Sequence, residues 1–401
     1  MNCRNCHGEN LELVIDLGMQ PWGNNFLPIS VNQTVPLYPL QSFFCHGCTM
    51  MQLGYTVPKE TMFVDHNYVS GTTHSLRVHF KKLCEDMLKK IKFQDTDYVL
   101  DIGGNDGTFL AQFENKVKVL NVDSGVKQAE ISNSNGIECI NQFFNLKTAQ
   151  QILSTRGHAK AIHGSGVFFH LEELHSVFEG IELLLAKDGV LVAEFIYLPD
   201  MVRNGAYDQI YHEHLLYYTL HSFSKLLAKH HLEIHDAELL PIHGGSCIAY
   251  ISHQGEQKQT ERLKDLLAIE ENEGFNTADC YKQFAKRITG MRNDLVAIIR
   301  DLKNQGKSIQ ALGAPVKGST IINYCQLSHN ELDCAVEVNR LKCETYFPGT
   351  KIPVYHQDEV EKPDAYLLLS WNFKDEILSK LNDFRANGGK IISPLPQPEL
   401  I

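Results

Sequence analysis

From about Asp95 the chain alternates between short apolar runs and segments of helical periodicity, and no other feature restricts its possible folds as strongly. The runs Tyr98–Ile102, Val117–Val122, Gly136–Ile140, Ala159–His163 and Gly189–Phe195 are expected as strands. Such an order is satisfied by a doubly wound α/β sheet with helices on both faces, whose ligands gather beyond the carboxyl ends of the strands. The first strand runs into Gly103-Gly104-Asn105-Asp106-Gly107, which is not the G-x-G-x-x-G spacing of a dinucleotide fold. Asp123 closes the second strand, about twenty residues on, where a carboxylate can accept both ribose hydroxyls of an adenosine. Asp101, Gly103, Asn105, Gly107 and Asp123 are therefore the candidate cofactor-binding residues.

Ahead of this region stand two matched pairs, Cys3-Arg-Asn-Cys6 and Cys45-His-Gly-Cys48. Two intervening residues let one tight turn present both sulfurs to a single ion, so the pairs predict a closed, structural zinc site that holds a small lobe together. With 11 cysteines, an odd number, and no apolar leader at Met1, reduced thiols and a cytoplasmic location are expected. No run reaches the ~18 apolar residues of a membrane helix. The formal charge of -11 opposes binding to nucleic acid or to anionic membranes, so a phosphate-bearing ligand needs a local cationic pocket.

Past a long segment with two further strands (Leu232–Ala237, Cys247–Ser252), residues 254–306 read as a charged helical connector with a solvated face. A second strand, glycine turn and helix begins at Ser308, with Lys317 at the helix start and Arg340 and Lys342 after the following strand as candidate contacts for phosphate. The domains expected are 1–66, 67–255 and 256–401.

Tyr211-His212-Glu213-His214 packs a phenol, a carboxylate and two imidazoles between apolar segments, which reads as proton-transfer machinery. His212 faces away from its neighbours if the block is extended. His170, at the edge of the fourth strand, points either into the cleft or into a helix start. A His-x-His pair also admits a catalytic metal, but no third ligand stands at a recognisable spacing.

Together the cysteine knuckles, the Asp101-Ile-Gly-Gly-Asn-Asp-Gly107 turn, the Tyr211–His214 block, Gly313-Ala-Pro-Val-Lys317-Gly318 and Trp371-Asn372-Phe373 resemble the S-adenosylmethionine (SAM)-dependent sugar-nucleotide C-methyltransferases that act on nucleoside-diphosphate 4-ketohexoses. The resemblance implies a zinc-binding lobe, a central SAM-methyltransferase sheet and a C-terminal Rossmann-like domain, in a monomer. It further implies methylation at a carbon alpha to the ketone, C-3, through an enolate. His214 is then the base, with Glu213 setting its tautomer, and Tyr211 and His170 donate to the enolate oxygen. Tyr68 stands near an active-site tyrosine of the family, and Tyr68 or Thr72 is the next candidate for the base. Two other readings compete: a nicotinamide-dependent sugar-nucleotide oxidoreductase, and a non-catalytic zinc-organised binding protein. A cofactor that copurifies separates the first, and transfer of labelled methyl to a keto-sugar nucleotide excludes the second.

Overall fold

The computed structural model describes residues 1–31, 33–63, 70–72, 74–114, 116–241 and 244–401, with the side chains of residues 63 and 72 excepted. It has the α/β architecture expected, built on three sheets.

The central sheet has seven strands in the order Leu232–Leu240, Ser246–His253, Leu185–Ile196, Ala159–Ser165, Tyr98–Ile102, Lys118–Val122, Cys139–Ile140. All pairings are parallel except those of Ser246–His253, which runs against both its neighbours. Tyr98–Ile102 is buried at every position, as a parallel strand covered on both faces must be. Asp101 in that strand therefore needs a partner, and the register supplies one: it lies directly opposite His163 on the neighbouring strand.

The C-terminal sheet has eight strands, ordered Glu399–Leu400, Lys390–Ser393, Ala365–Leu368, Ile309–Leu312, Cys334–Glu337, Pro353–His356, Thr345–Tyr346, Leu27–Pro28. The last of these comes from the N-terminal lobe. That lobe's own sheet joins Leu11–Pro21, Leu37–Cys45 and Met51–Leu53 to Leu216–Tyr217, which belongs to the segment after the central fifth strand. The three regions thus exchange strands across the expected boundaries.

The expected connector is two helices, Glu261–Asn272 and Ala278–Asn304. The second buries Tyr281, Phe284, Ile288, Met291, Leu295 and Ile299 at helical spacing. One connector charge is not solvated. Glu270 is fully buried and accepts hydrogen bonds from Tyr197 Oη at 2.8 Å, Leu220 N at 2.6 Å and His221 N at 2.9 Å. It pins the connector to the insertion that carries Tyr211–His214. Among the described residues no helix is long and apolar enough to cross a membrane.

Candidate functional site

The four cysteine sulfurs lie within 4.8 Å of one another, with Cys3 and Cys48 at 3.5 Å and Cys6 and Cys45 at 3.4 Å. Tetrahedral zinc with bonds of ~2.3 Å holds sulfurs about 3.8 Å apart, so the donor set fits the ion in kind and size. The two knuckles share one backbone device: His7 N donates to Cys3 O at 2.9 Å and Thr49 N to Cys45 O at 2.8 Å, with φ of 59° and 62° at the two donors. The long interval between the pairs is taken up by antiparallel pairing of Leu11–Pro21 with Leu37–Cys45.

At the carboxyl edge of the central sheet the glycine turn is bound tightly to its surroundings. Gly103, Asn105 and Gly107 have φ of 67°, 51° and 77°. A Cβ on Gly104 would stand 2.4 Å from Asn121 Oδ1 and 2.5 Å from Asp101 Oδ2. Asp123 accepts from Asn105 N and Gly125 N, one on each carboxylate oxygen, both at 2.8 Å. These bonds use one lone pair per oxygen, and burial raises its pKa. Ahead of the first long helix, Ser70 N donates to Asn105 Oδ1 and Gly71 N to Asp106 Oδ2, each at 2.9 Å, so these two residues are laced to the turn. In the sequence the only hint of this contact is the small Ser-Gly pair, which permits a close backbone approach. Asp101 Oδ1 is 2.7 Å from His163 Nδ1, and both residues line a small cavity with Ser70, Gly103, Gly104 and Ser165. Positive φ, close backbone approach and a buried carboxylate at the strand end fit an adenosine cofactor.

The loop after Ser165 joins this turn to the proton-transfer block. Val167 covers Gly103, while Phe169 and His170 pack on His214 with ring centroids at 4.5 and 5.1 Å. His214 is buried, and its Nδ1 lies 2.8 Å from Gln209 O. A carbonyl can only accept, so Nδ1 carries the proton and Nε2 is the basic nitrogen of the neutral ring. The ring of half-buried Tyr211 stands 3.8 Å away, centroid to centroid.

Two expectations about this block change. Glu213 does not orient His214: in the tight turn its carboxylate points the other way and accepts from Trp22 Nε1 at 2.7 Å, and the backbone of Gln209 orients the imidazole. His170 likewise spends Nδ1–H on Glu213 O, so it can donate to another oxygen from Nε2 only as an imidazolium. Burial raises the pKa of Glu213 to about 7 despite the opposing Trp22 hydrogen bond and the Lys342 charge. His212 turns edge-on to Tyr38 of the zinc lobe at 5.7 Å, and burial lowers its pKa to about 4, which makes it a neutral packing group. Tyr68 lies outside the described residues, as does the side chain of Thr72.

Lys317 and Lys342 both come to the side of this block that the C-terminal lobe covers. Lys317 Nζ donates to Asn372 Oδ1 at 2.6 Å, lies 3.8 Å from Asp208 and stacks over Trp371, whose Nε1 donates to Asp208 Oδ2 at 2.6 Å. Lys342 Nζ donates to Ala314 O at 2.7 Å over the ring of Phe26. Burial lowers the pKa of each lysine, opposed by Asp208 for Lys317 and by Glu337 and Glu213 for Lys342. Arg340 does not join them: it is exposed and paired with Glu359 at 3.1 Å. Trp22 and His163 carry no local signal in the sequence, because each meets a partner distant in the chain.

Residues 3–63 match the profile of a zinc binding domain, residues 74–237 that of a methyltransferase domain and residues 241–396 that of a C-methyltransferase C-terminal domain. The C-methyltransferase NovU of Streptomyces niveus is 30% identical over 404 residues, spanning 100% of this chain and 96% of that protein. Among solved structures, a SAM-dependent methyltransferase from Clostridium acetobutylicum aligns at 13% identity and a TM-score of 0.35, over 45% of this chain and 92% of that one. A TehB-like SAM-dependent methyltransferase from Corynebacterium glutamicum aligns at 14% identity and a TM-score of 0.32, over 44% and 87%.

Proposed function

The chain belongs to the C-methyltransferase family as a SAM-dependent enzyme with a zinc-binding domain, and from that premise we propose that its acceptor is a nucleoside-diphosphate 4-keto-deoxyhexose. The methyl goes to a carbon alpha to the ketone, C-3, in the making of a branched deoxysugar. The enzyme acts as a cytoplasmic monomer, where its 11 cysteines stay reduced, four of them as zinc ligands.

The observation that carries this reading is the Gln209 carbonyl on Nδ1 of His214, which leaves a basic Nε2 in a buried site beside Tyr211. Bound SAM supplies an electrophilic methyl on a sulfonium, and carbon accepts it only as a carbanion equivalent. A ketone makes one accessible, because the electron pair left by the alpha proton delocalises onto oxygen. In this scheme His214 Nε2 takes that proton, and the Tyr211 hydroxyl donates to the enolate oxygen, a contact of the oxyanion-hole kind. His170 adds a second donor when protonated. Lys317, with Lys342, receives the diphosphate. Both are half-buried cations near the block in an acidic protein, whereas Arg340 stays at the surface.

His214→Ala is expected to keep cofactor binding, to lose methyl transfer by about 10² to 10⁴, the range of a positioned acid or base, and to stop solvent deuterium exchange alpha to the ketone. Exchange at the wild-type rate in this variant would move the base elsewhere, with Tyr68 or Thr72 next in line. Mass spectrometry of products from thymidine-, guanosine- and cytidine-diphosphate 4-ketohexoses incubated with SAM tests the acceptor class directly.

A further inference from the structure

Arg4 stands between two of the metal ligands, Cys3 and Cys6, yet its hydrogen bonds leave the knuckle for the strand Met51–Leu53 and the turn after it. Its backbone N donates to Gln52 Oε1 at 2.9 Å, one guanidinium nitrogen to Leu53 O and another to Thr56 Oγ1 at 2.8 Å. That strand pairs with Leu216–Tyr217, with Leu216 opposite Gln52. The register therefore puts Leu53 opposite Leu215, the residue that follows His214. An antiparallel pair of this kind exchanges two backbone bonds, and here one is diverted. Leu53 N donates to Leu215 O at 2.9 Å, while Leu215 N turns to Phe169 O at 2.8 Å. Leu53 is buried, so its carbonyl is costly to leave without a donor, and Arg4 supplies one.

We infer that Arg4 is a positioning residue for His214: by occupying Leu53 O it keeps Leu215 N on Phe169 O, and so fixes the base against the loop that carries Phe169 and His170. Without the guanidinium, Leu53 O becomes a competing acceptor for Leu215 N, and regular pairing draws the backbone after the base away from Phe169. Ligation of Cys3 and Cys6 sets the turn from which Arg4 extends, so the zinc site bears on the placement of the base as well as on the lobe's own fold. The same knuckle has a second tie to the methyltransferase domain that bypasses the block: Lys229 Nζ and His175 Nε2 donate to Asn5 O at 2.9 and 2.8 Å. The inference rests on the reading of His214 as the base.

Hydrogen exchange read by mass spectrometry, with methyl-transfer kinetics beside it, tests this on the zinc-loaded protein. In Arg4→Met, metal analysis should find the zinc retained and calorimetry an unchanged affinity for S-adenosylhomocysteine. Exchange should quicken in residues 166–171 and not in the strand Tyr98–Ile102. The kcat for a keto-sugar nucleotide should fall about 10- to 100-fold with KM unchanged, the cost of a base displaced by about an ångström. Thr56→Val leaves the knuckle untouched and removes one anchor of the guanidinium, so it should show the same pattern at about threefold. Lys229→Met cuts the other tie, and should lower Tm without altering kcat or exchange in residues 166–171. Wild-type exchange and kcat in Thr56→Val overturn the inference whether or not Arg4→Met folds, and so does wild-type kcat in a folded, zinc-loaded Arg4→Met. An equal loss in Lys229→Met also overturns it, since any loosening of the lobe would then suffice. If wild-type protein methylates no keto-sugar nucleotide, the acceptor reading falls, and the exchange pattern alone decides for or against Arg4.

Discussion

The two strand–glycine turn–helix units share one backbone device and use it differently. In the first, Asp123 at the end of the second strand accepts amides of the turn and of its own loop, Asn105 N and Gly125 N. In the second, Glu337 does the same for Ala314 N, Val338 N and Asn339 N at 2.8 to 3.0 Å. The first turn opens on a cavity lined by a carboxylate and an incompletely bonded imidazole. The second is filled by its own side chains: Lys317 reaches Asn372, Lys342 caps Ala314 O, and Thr320 Oγ1 donates to Ile210 O at 2.8 Å, just before the Tyr211–His214 block. In the proposed scheme the first turn seats the cofactor, while the second holds the lysines offered to the diphosphate and is also a post on which the insertion with Tyr211–His214 leans. The repeated pattern specifies backbone geometry. What occupies the turn is decided by side chains from elsewhere.

The largest expected effect that would break this contrast comes from adding a side chain to each turn. Gly104→Val puts a branched group where even Cβ meets Asn121 and Asp101, so affinity for S-adenosylhomocysteine should fall about 100-fold in calorimetry. Gly318→Ala, at the start of the helix that follows the second turn, meets the Leu369 side chain at 3.0 Å and Pro315 Cγ at 3.4 Å, and should leave that affinity unchanged while lowering Tm slightly. Equal losses from both substitutions would mean that both turns hold the cofactor.

A smaller effect is expected at Lys317. Lys317→Met removes the cation beside Asp208, a fully buried carboxylate whose pKa burial raises and Lys317 opposes. Breaking a buried pair costs about 3 kcal/mol, so chemical denaturation should show that loss, with the acceptor KM raised about tenfold and cofactor affinity intact. An unchanged KM would leave the second turn with a purely mechanical role.

The smallest effect belongs to Glu213, held by Trp22 and near the Lys342 charge. Burial holds its folded pKa at about 7, above the ordinary glutamate value of 4.5. Below about pH 4.5 the carboxyl is protonated in both states and contributes no penalty. As pH rises toward 7 the unfolded chain releases the proton first and stability declines, levelling off above that point. Glu213→Gln lacks this titration, so its Tm should gain on wild type by a few degrees across that window. Parallel curves would show that Glu213 is ionised at little cost when Trp22 and Lys342 are in place.

The legible parts of this molecule are those that depend on neighbours in the chain. Tyr98–Ile102 announces itself as an apolar run, and the cysteine knuckles are tight local turns, so both strand and metal centre follow from spacing. The site is less legible because its decisive contacts cross the chain. Trp22 meets Glu213 at a separation of 191 residues, and only the assembled lobes make that pair. The orientation of His214 looks like a matter for the adjacent carboxylate, yet the turn hands it to the Gln209 carbonyl, a group that residue identity does not reveal. Asp101–His163 is an intermediate case: residues polar in type at matching positions of adjacent parallel strands predict a cross-strand pair once strand order is known.

The strand Leu27–Pro28 carries a consequence for how the protein is made. Its partners Leu27↔Tyr346 and Pro28↔Thr345 are joined only when all but the last part of the chain exists. At synthesis rates of about 5 to 20 residues per second, the N-terminal lobe waits tens of seconds with that edge unpaired. During the wait the lobe has its own antiparallel strands and four thiolates, and a structural ion on those thiolates can hold such a unit folded before its tertiary partners arrive. Metal depletion during expression is therefore expected to lower the yield of folded protein.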